Sequence, residues 1–85
     1  MKEFNYTIKD EFGIHARPAG LLVKEAGKFK SNITVEKSGK KADAKKLFAL
    51  MGLGVKSSET VTVRCEGEDE GAALTAMEAF FEEKL

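Results

Sequence analysis

Apolar and polar side chains alternate strictly at the start of the chain, as they do in a strand with one buried face. The apolar positions there are Phe4, Tyr6 and Ile8. The same period of two recurs at Ile33 and Val35, and again at Val61, Val63 and Cys65. Ser38 and Gly39 predict a hairpin turn into a short further strand through Lys41 and Ala42. Four strands are therefore expected.

Three other segments show helical spacing. The first is predicted from about Ala16 to Gly27, with an inner face of Ala19, Leu22, Val23 and Ala26. A short apolar helix is predicted from roughly Leu47 to Gly52, ended by the pair Gly52 and Gly54. Asp69 or Glu68 caps the last helix, whose inner positions are Leu74, Met77 and Phe81.

These elements follow one another in the order βαββαβα. An antiparallel sheet with one face under helices and the other in solvent suits the polar alternate positions. We therefore predict an α/β (α+β) open-faced two-layer sandwich, with a four-stranded antiparallel sheet and three helices on one face. The chain shows neither repeats nor linkers, so we expect residues 1–85 to fold as a single domain.

Composition excludes several classes of protein. The chain has no run of about eighteen apolar residues and no signal-peptide pattern, so we expect a cytoplasmic protein without a membrane span. The one cysteine, Cys65, cannot form an internal disulfide, and its register with Val61 and Val63 favours a buried thiol over a redox centre.

The net charge is zero but unevenly distributed. Residues 1–56 hold 12 Lys and Arg against 6 Asp and Glu, whereas residues 57–85 hold 2 against 8. A solvated surface with uneven charge would account for this. Because the basic part contains the only histidine, His15, we favour a positive face that attracts acidic partners or phosphorylated groups.

His15 lies within GIHARPAG, where a strand is expected to give way to a helix. If the helix begins at Ala16, His15 is its cap, and the N–H groups of Ala16 and Arg17 point outward without intrahelical acceptors. Pro18 fits the first helical turn, where its missing N–H costs no hydrogen bond, and Gly13 gives the turn its conformational freedom. The helix start is therefore predicted to bind an anion.

This setting suits a histidine that carries phosphate. The positive end of a helix disfavours protonated imidazole, so we expect a neutral ring with one nitrogen lone pair free to attack. A phosphoryl group on that nitrogen would face the helix amides and the Arg17 guanidinium. These donors would stabilise it without a metal or a cofactor. The residues do not choose between the two ring nitrogens, and a histidine with a purely structural role is the alternative.

Three segments together resemble the HPr family of phosphocarrier proteins in the bacterial phosphoenolpyruvate-dependent sugar phosphotransferase system (PTS): GIHARPAGLLVKEAGKF, AKKLFALMGLG and TVTVRCEGEDE. The resemblance covers essentially all 85 residues. It implies the open-faced sandwich and a carrier without turnover of its own. It further implies that His15 accepts a phosphoryl group from phospho-enzyme I, on Nδ1 in the family, and passes it to enzyme IIA proteins during sugar uptake.

A docking surface is predicted beside His15. On the first helix, the spacing predicts an outer stripe, distinct from the core-facing stripe, that consists of Arg17, Gly20, Leu21 and Lys24. On the second helix we expect Leu47, Phe48 and Met51 to face outward and Leu50 and Leu53 inward, although all five could equally pack inside. An apolar patch ringed by Lys24, Lys45 and Lys46 has the anatomy of a docking site. The resemblance implies contact with enzyme I and enzyme IIA here, and we expect a monomer that exchanges partners quickly.

Lys46 departs from the family pattern. Many relatives have a serine at this position, which a dedicated ATP-dependent kinase phosphorylates in low-GC Gram-positive bacteria. Lysine offers no hydroxyl, so we predict no regulatory serine and place that signalling branch in doubt. Lysine is also a poor helix cap and places a cation at the positive end of the helix, which lowers the stability of the helix. Our hypothesis is that attraction to acidic partners offsets this loss of stability.

Other classes of function remain open at this point. An HPr-like module that docks without phosphoryl flux is one, although His15, Arg17 and Pro18 are intact. A small RNA-binding sheet domain is another, but the predicted solvent face offers Asn5, Thr7, Thr34 and Thr62 rather than stacking aromatics. A hydrolase would need a second base or a metal-ligand cluster, and neither is evident. We therefore expect no nucleic-acid partner and no metal.

Overall fold

The computed structural model describes all 85 residues, and its elements follow the predicted order βαββαβα. The strands are β1 (Lys2–Thr7), β2 (Asn32–Lys37), β3 (Lys40–Asp43) and β4 (Thr60–Glu66). The helices are α1 (Ala16–Ala26), α2 (Leu47–Gly52) and α3 (Glu70–Lys84). Gly27 is the C-terminal cap of α1 rather than its last residue. Leu53 is the C-terminal cap of α2, and Gly54 then turns the chain with a φ of +62°.

The four strands form one antiparallel sheet in the order β1-β4-β2-β3. Val63 at the centre of β4 lies opposite Phe4 of β1 and Val35 of β2, so the alternating apolar positions share one face. Helix α3 packs on β1 and β4, and α1 packs between α3 and α2. The opposite face carries Arg64, paired with Glu3 and Glu36 across the strands. The predicted open-faced sandwich is confirmed.

Sharp backbone turns lie where the sequence indicates them. Ser38 and Gly39 have φ values of +51° and +83°, as a two-residue turn between twisted antiparallel strands requires. The turn joins β2 to β3 with Lys37 opposite Lys40. The hairpin prediction is confirmed.

The buried core consists of 19 apolar residues in one cluster, which includes Cys65. Phe81 is its largest member, and its ring meets those of Phe4 and Tyr6 edge to face. Two predicted core positions, Val23 and Leu74, are only half-buried. In α3 the buried positions are four residues apart, at Ala73, Met77 and Phe81, and Leu74 lies about 60° round the helix from Met77, at the side of that line.

The start of α3 is tied to the segment after α1 through Asp69. Asp69 is the cap residue, as one of the two predictions has it, but its side chain does not bond the amides of α3. Its carboxylate instead accepts hydrogen bonds from the Ser31 hydroxyl and from the N–H groups of Lys30 and Ser31, the latter two at 2.8 and 2.9 Å. These bonds, the Ser31 hydroxyl foremost, hold the pKa of Asp69 below its usual value.

Cys65 is fully buried and unpaired, as its register indicates. Burial raises the pKa of its thiol, with smaller contributions from the charges of Glu70 and Asp69. The thiol is therefore kept in its unreactive protonated form. Separately, none of the three helices has the length and apolar character needed to cross a bilayer.

Candidate functional site

The loop between β1 and α1 is tightly fixed, and this fixes where α1 begins. The N–H of Gly13 donates to the Asp10 carbonyl at 3.0 Å, and the N–H of Ile14 donates to the Val55 carbonyl at 3.1 Å. Gly13 is buried with a φ of +68°, and a Cβ there would lie 2.1 Å from the Val55 oxygen. Only glycine allows the two segments to approach this closely.

His15 is the cap residue of α1, which begins at Ala16. Its backbone is extended (φ −103°, ψ −178°), and its carbonyl accepts the N–H of Ala19 at 2.9 Å. The imidazole itself makes no capping hydrogen bond, and 40% of its side chain is exposed. The ring is therefore held at the helix end and remains accessible to another molecule.

The first turn of α1 presents several unused donors. Ala19 is the first residue whose N–H bonds back to the cap, and Pro18 has no N–H. The amides of Ala16 and Arg17 consequently have no acceptor within the helix. Arg17 is exposed and takes part in none of the salt bridges of the chain. Two amides and one guanidinium are thus available to an anion beside His15.

Two side chains that the sequence did not single out flank the His15 ring. Asp10 Oδ2 lies 3.7 Å from His15 Nε2, and the Phe12 ring meets the imidazole edge to face at 5.7 Å. The negative Asp10 carboxylate and the positive N-terminal end of α1 therefore lie beside the same ring. The only sequence signal for Asp10 is its spacing from Gly13, which is typical of a turn.

A shallow depression of about 280 Å³ opens in front of His15. Its lining consists of Asp10, His15, Arg17, Pro18, Leu21 and Lys84. Lys84 comes from the last turn of α3, so a third element contributes charge to the site. A larger groove of about 350 Å³ runs between α1 and α3, but His15 does not line it.

The residues predicted to dock partners differ in exposure. Gly20, Leu21 and Lys24 of α1 are exposed, with 42% of Leu21 accessible. In α2, 83% of Phe48 and 39% of Met51 are exposed. Leu50 and Leu53 are buried, so the five apolar residues do not all pack inside. Leu47, predicted to face outward, is half-buried against the core.

The two lysines before α2 have different surroundings. The Lys45 ammonium donates to the Phe29 carbonyl at 2.7 Å and is partly buried, so it is less accessible than the prediction of a lysine at the rim of the apolar patch requires. The segment after α1 passes close to Lys45 and gives its ammonium a backbone acceptor. Lys46 is exposed at the cap position of α2 and makes no capping hydrogen bond.

Comparison with known proteins agrees with this geometry. The family PTS-HPr, described as the PTS HPr component phosphorylation site, matches residues 2–83. The phosphocarrier protein HPr of Mycoplasma genitalium is 45% identical over 83 residues, which is 96% of this chain and 94% of that protein. The HPr-like protein Crh of Halalkalibacterium halodurans is 44% identical over 84 residues, or 99% of this chain and all of that one.

Solved structures show the same fold. The crystal structure of HPr-C-His from Thermoanaerobacter tengcongensis superposes with a TM-score of 0.94 at 45% identity, covering 99% of this chain and 94% of that one. A dimeric form of HPr from the same organism has a TM-score of 0.78 at 45% identity, with coverage of 99% and 97%. Since a phosphocarrier relative and the family pattern both extend over nearly the whole chain, this protein belongs to the PTS HPr family of phosphocarrier proteins.

Proposed function

We propose that His15 accepts a phosphoryl group from the phosphohistidine of enzyme I, which phosphoenolpyruvate has charged, and passes it to enzyme IIA proteins. The observation that carries this is the start of α1: an accessible imidazole at the cap, next to two free amides and an unpaired guanidinium. Family membership supplies the class of reaction. The residue-level assignment to His15, Ala16, Arg17 and Pro18 is our proposal.

Transfer between two imidazoles needs in-line placement and charge neutralisation more than covalent chemistry by the protein. A phosphoryl group on His15 would carry negative charge on its three oxygens, next to the N-terminal end of α1. The donors available there are the free amides of Ala16 and Arg17 and the Arg17 guanidinium. Stabilisation of the phosphorylated state must remain limited, because a tightly held phosphoryl group would not move on. An open, solvent-exposed site with one arginine suits that requirement.

We propose that partners dock on the α1–α2 face, defined as Gly20, Leu21, Lys24, Lys46, Phe48 and Met51. The proposal is supported by the packing of α1 against α2 and by the exposure of these six residues, three on α1 and three on α2 or at its cap. Its apolar members are flanked by two exposed lysines, Lys24 and Lys46, which favour acidic partners. Lys45, whose ammonium bonds the Phe29 carbonyl, and Leu47, half-buried against the core, are left out of this face because they are less accessible.

The assembly and location follow from the same mechanism. We propose that all 85 residues act as one carrier domain and that the carrier is monomeric, because the α1–α2 face must be free to meet successive partners. Structures of relatives include an HPr dimer, so dimer formation is the competing state. We place the reaction in the cytoplasm, where the unpaired thiol of Cys65 stays reduced.

Mass spectrometry tests the proposed function directly. After incubation with enzyme I and phosphoenolpyruvate, the protein should gain the mass of one phosphoryl group, and a fragment containing His15 should carry it. Addition of an enzyme IIA protein should remove it. A chain that binds enzyme I but never gains the phosphoryl mass would instead be a docking module without phosphoryl flux.

Arg17→Ala is expected to slow phosphoryl transfer to and from His15 by about 10- to 100-fold, because the phosphoryl oxygens lose their one charged donor from the first turn. The transfer rate of Arg17→Lys should lie between those of the unaltered chain and Arg17→Ala, since lysine keeps the charge but not the forked geometry of the guanidinium. Rapid-quench kinetics with enzyme I in both directions give the measurement. Lys40→Ala, at the exposed hairpin of β3, is the control for loss of one positive charge, and equal rates in the two alanine variants would refute the role of Arg17.

Lys46→Ser is expected to raise the free energy of unfolding by about 1 kcal/mol, because serine caps α2 and the cation leaves the positive helix end. The same variant should take the phosphoryl group from enzyme I more slowly and with a weaker dependence on salt. Chemical denaturation and transfer kinetics at several salt concentrations measure the two effects. If the transfer rate and its salt dependence match those of Lys40→Ser, Lys46 does not attract partners.

A further inference from the structure

Asp10 is a charged side chain beside His15 that the carrier reaction described above does not use. Its Oδ2 lies 3.7 Å from Nε2 of His15, and His15 is its only salt-bridge partner. The two side chains are 25% and 40% exposed, so the pair is partly shielded from water. A carboxylate this close to a ring nitrogen influences which nitrogen carries the proton.

The Asp10 carboxylate is held in place by the loop that contains it. Its Oδ1 accepts the N–H of Phe12 at 2.8 Å, its carbonyl accepts the N–H of Gly13 at 3.0 Å, and its own N–H donates to the Leu85 carbonyl at 2.9 Å. The Phe12 ring contacts the imidazole edge to face. Folding has therefore already ordered this carboxylate, and no further entropy is lost when it pairs with His15.

We propose that Asp10 is a positioning residue for phosphoryl transfer, an inference that rests on the proposed function. Its carboxylate keeps the proton of His15 on Nε2 and so leaves Nδ1 as the nitrogen that takes the phosphoryl group. Its negative charge also repels a phosphoryl group from Nε2. The residues themselves thus favour one ring nitrogen, which sequence reasoning left open.

The charges in the transfer step give Asp10 a second effect. The Nδ1 lone pair of His15 forms the new N–P bond while the N–P bond of the donor breaks and its electron pair returns to the donor imidazole. The proton on Nε2 stays, so the His15 ring gains a formal positive charge that the Asp10 carboxylate pairs with. A cationic ring is the better leaving group, so Asp10 keeps phosphohistidine in its reactive form up to a higher pH.

Other charged groups face the same ring and act in the opposite sense. Arg17 of α1 and Lys84 of α3 line the depression in front of His15, and the N-terminus of α1 is itself positive. All of these disfavour a cationic ring, and all remain in the variants below. Asp10 is the one carboxylate that lines the depression, so its removal isolates its effect.

The pH profile of phosphohistidine hydrolysis tests this. The full chain is loaded with phosphoramidate, a phosphoryl donor that needs no partner protein, and loss of the phosphoryl group is followed by phosphorus NMR from acid to alkaline pH. In Asp10→Ala and Asp10→Asn the midpoint of the profile should fall by about half a pH unit, as expected for a partly exposed ion pair. Glu11→Ala, which removes the neighbouring exposed carboxylate, should leave the midpoint unchanged.

Asp10→Asn guards against a loop that simply fails to fold, because its amide oxygen still accepts the Phe12 N–H. Nitrogen NMR of the loaded samples should also show phosphate on Nδ1 in the unaltered chain and a share on Nε2 in Asp10→Ala. The role of Asp10 would be overturned if the hydrolysis profiles and the phosphohistidine isomers were the same in the unaltered chain, Asp10→Ala, Asp10→Asn and Glu11→Ala. If the chain takes phosphate from phosphoramidate but not from phospho-enzyme I, the proposed function fails, and the hydrolysis profile still decides for or against Asp10.

Discussion

His15→Ala is expected to abolish phosphoryl acceptance from enzyme I while leaving the fold intact. His15 is the only histidine, and the amides and guanidinium proposed to stabilise its phosphoryl group are not themselves nucleophiles. The imidazole makes no capping hydrogen bond, so its loss should cost less than about 1 kcal/mol of stability. Mass spectrometry after incubation with enzyme I and phosphoenolpyruvate should show no added phosphoryl group.

His15→Ala also provides its own control for docking. The α1–α2 face is unchanged in this variant, so an excess of it should inhibit phosphorylation of the unaltered chain by competing for enzyme I. Loss of phosphorylation together with loss of competition would point to misfolding. Phosphorylation that persists in His15→Ala would place the accepting residue elsewhere and remove the basis of the proposed function.

Gly13→Ala is expected to lower the free energy of unfolding by about 2–4 kcal/mol, through left-handed strain and overlap with neighbouring backbone. The new Cβ would lie 2.1 Å from the Val55 oxygen and 2.7 Å from Lys56 Cα. Relief of that overlap separates the loop from Val55 and weakens the hydrogen bond between Ile14 and Val55. Thermal unfolding followed by circular dichroism should show a midpoint lower by roughly 10–25 °C.

The same change should slow phosphoryl transfer, because the Gly13 loop sets the position of His15 and Asp10. Gly71→Ala is the matched control: Gly71 lies in the first turn of α3, and a Cβ there would meet only the flexible end of Lys2, at 3.9 Å. In a helix, alanine is favoured over glycine by up to about 1 kcal/mol, so this variant should be as stable as the original or more so. A Gly13→Ala variant as stable as Gly71→Ala would show that the approach to Val55 is not needed.

Local sequence patterns determined the elements and the nature of the site. The alternation at Phe4 and Tyr6 and the helical spacing of Met77 and Phe81 are periodicities within single segments, so they predict strands and helices without knowledge of the fold. The helix start at Ala16 depends on local backbone chemistry around His15 and Pro18. For that reason the sequence placed His15 at the cap, with Arg17 in the first turn.

Tertiary structure decided which side chains surround those residues. Asp10 and Lys84 line the depression in front of His15 although one precedes α1 and the other ends α3. Lys45 bonds the Phe29 carbonyl and Asp69 bonds Ser31, and both contacts join segments far apart in sequence. Such contacts depend on how loops cross after the sheet and helices have packed, and no periodicity along one segment encodes that geometry.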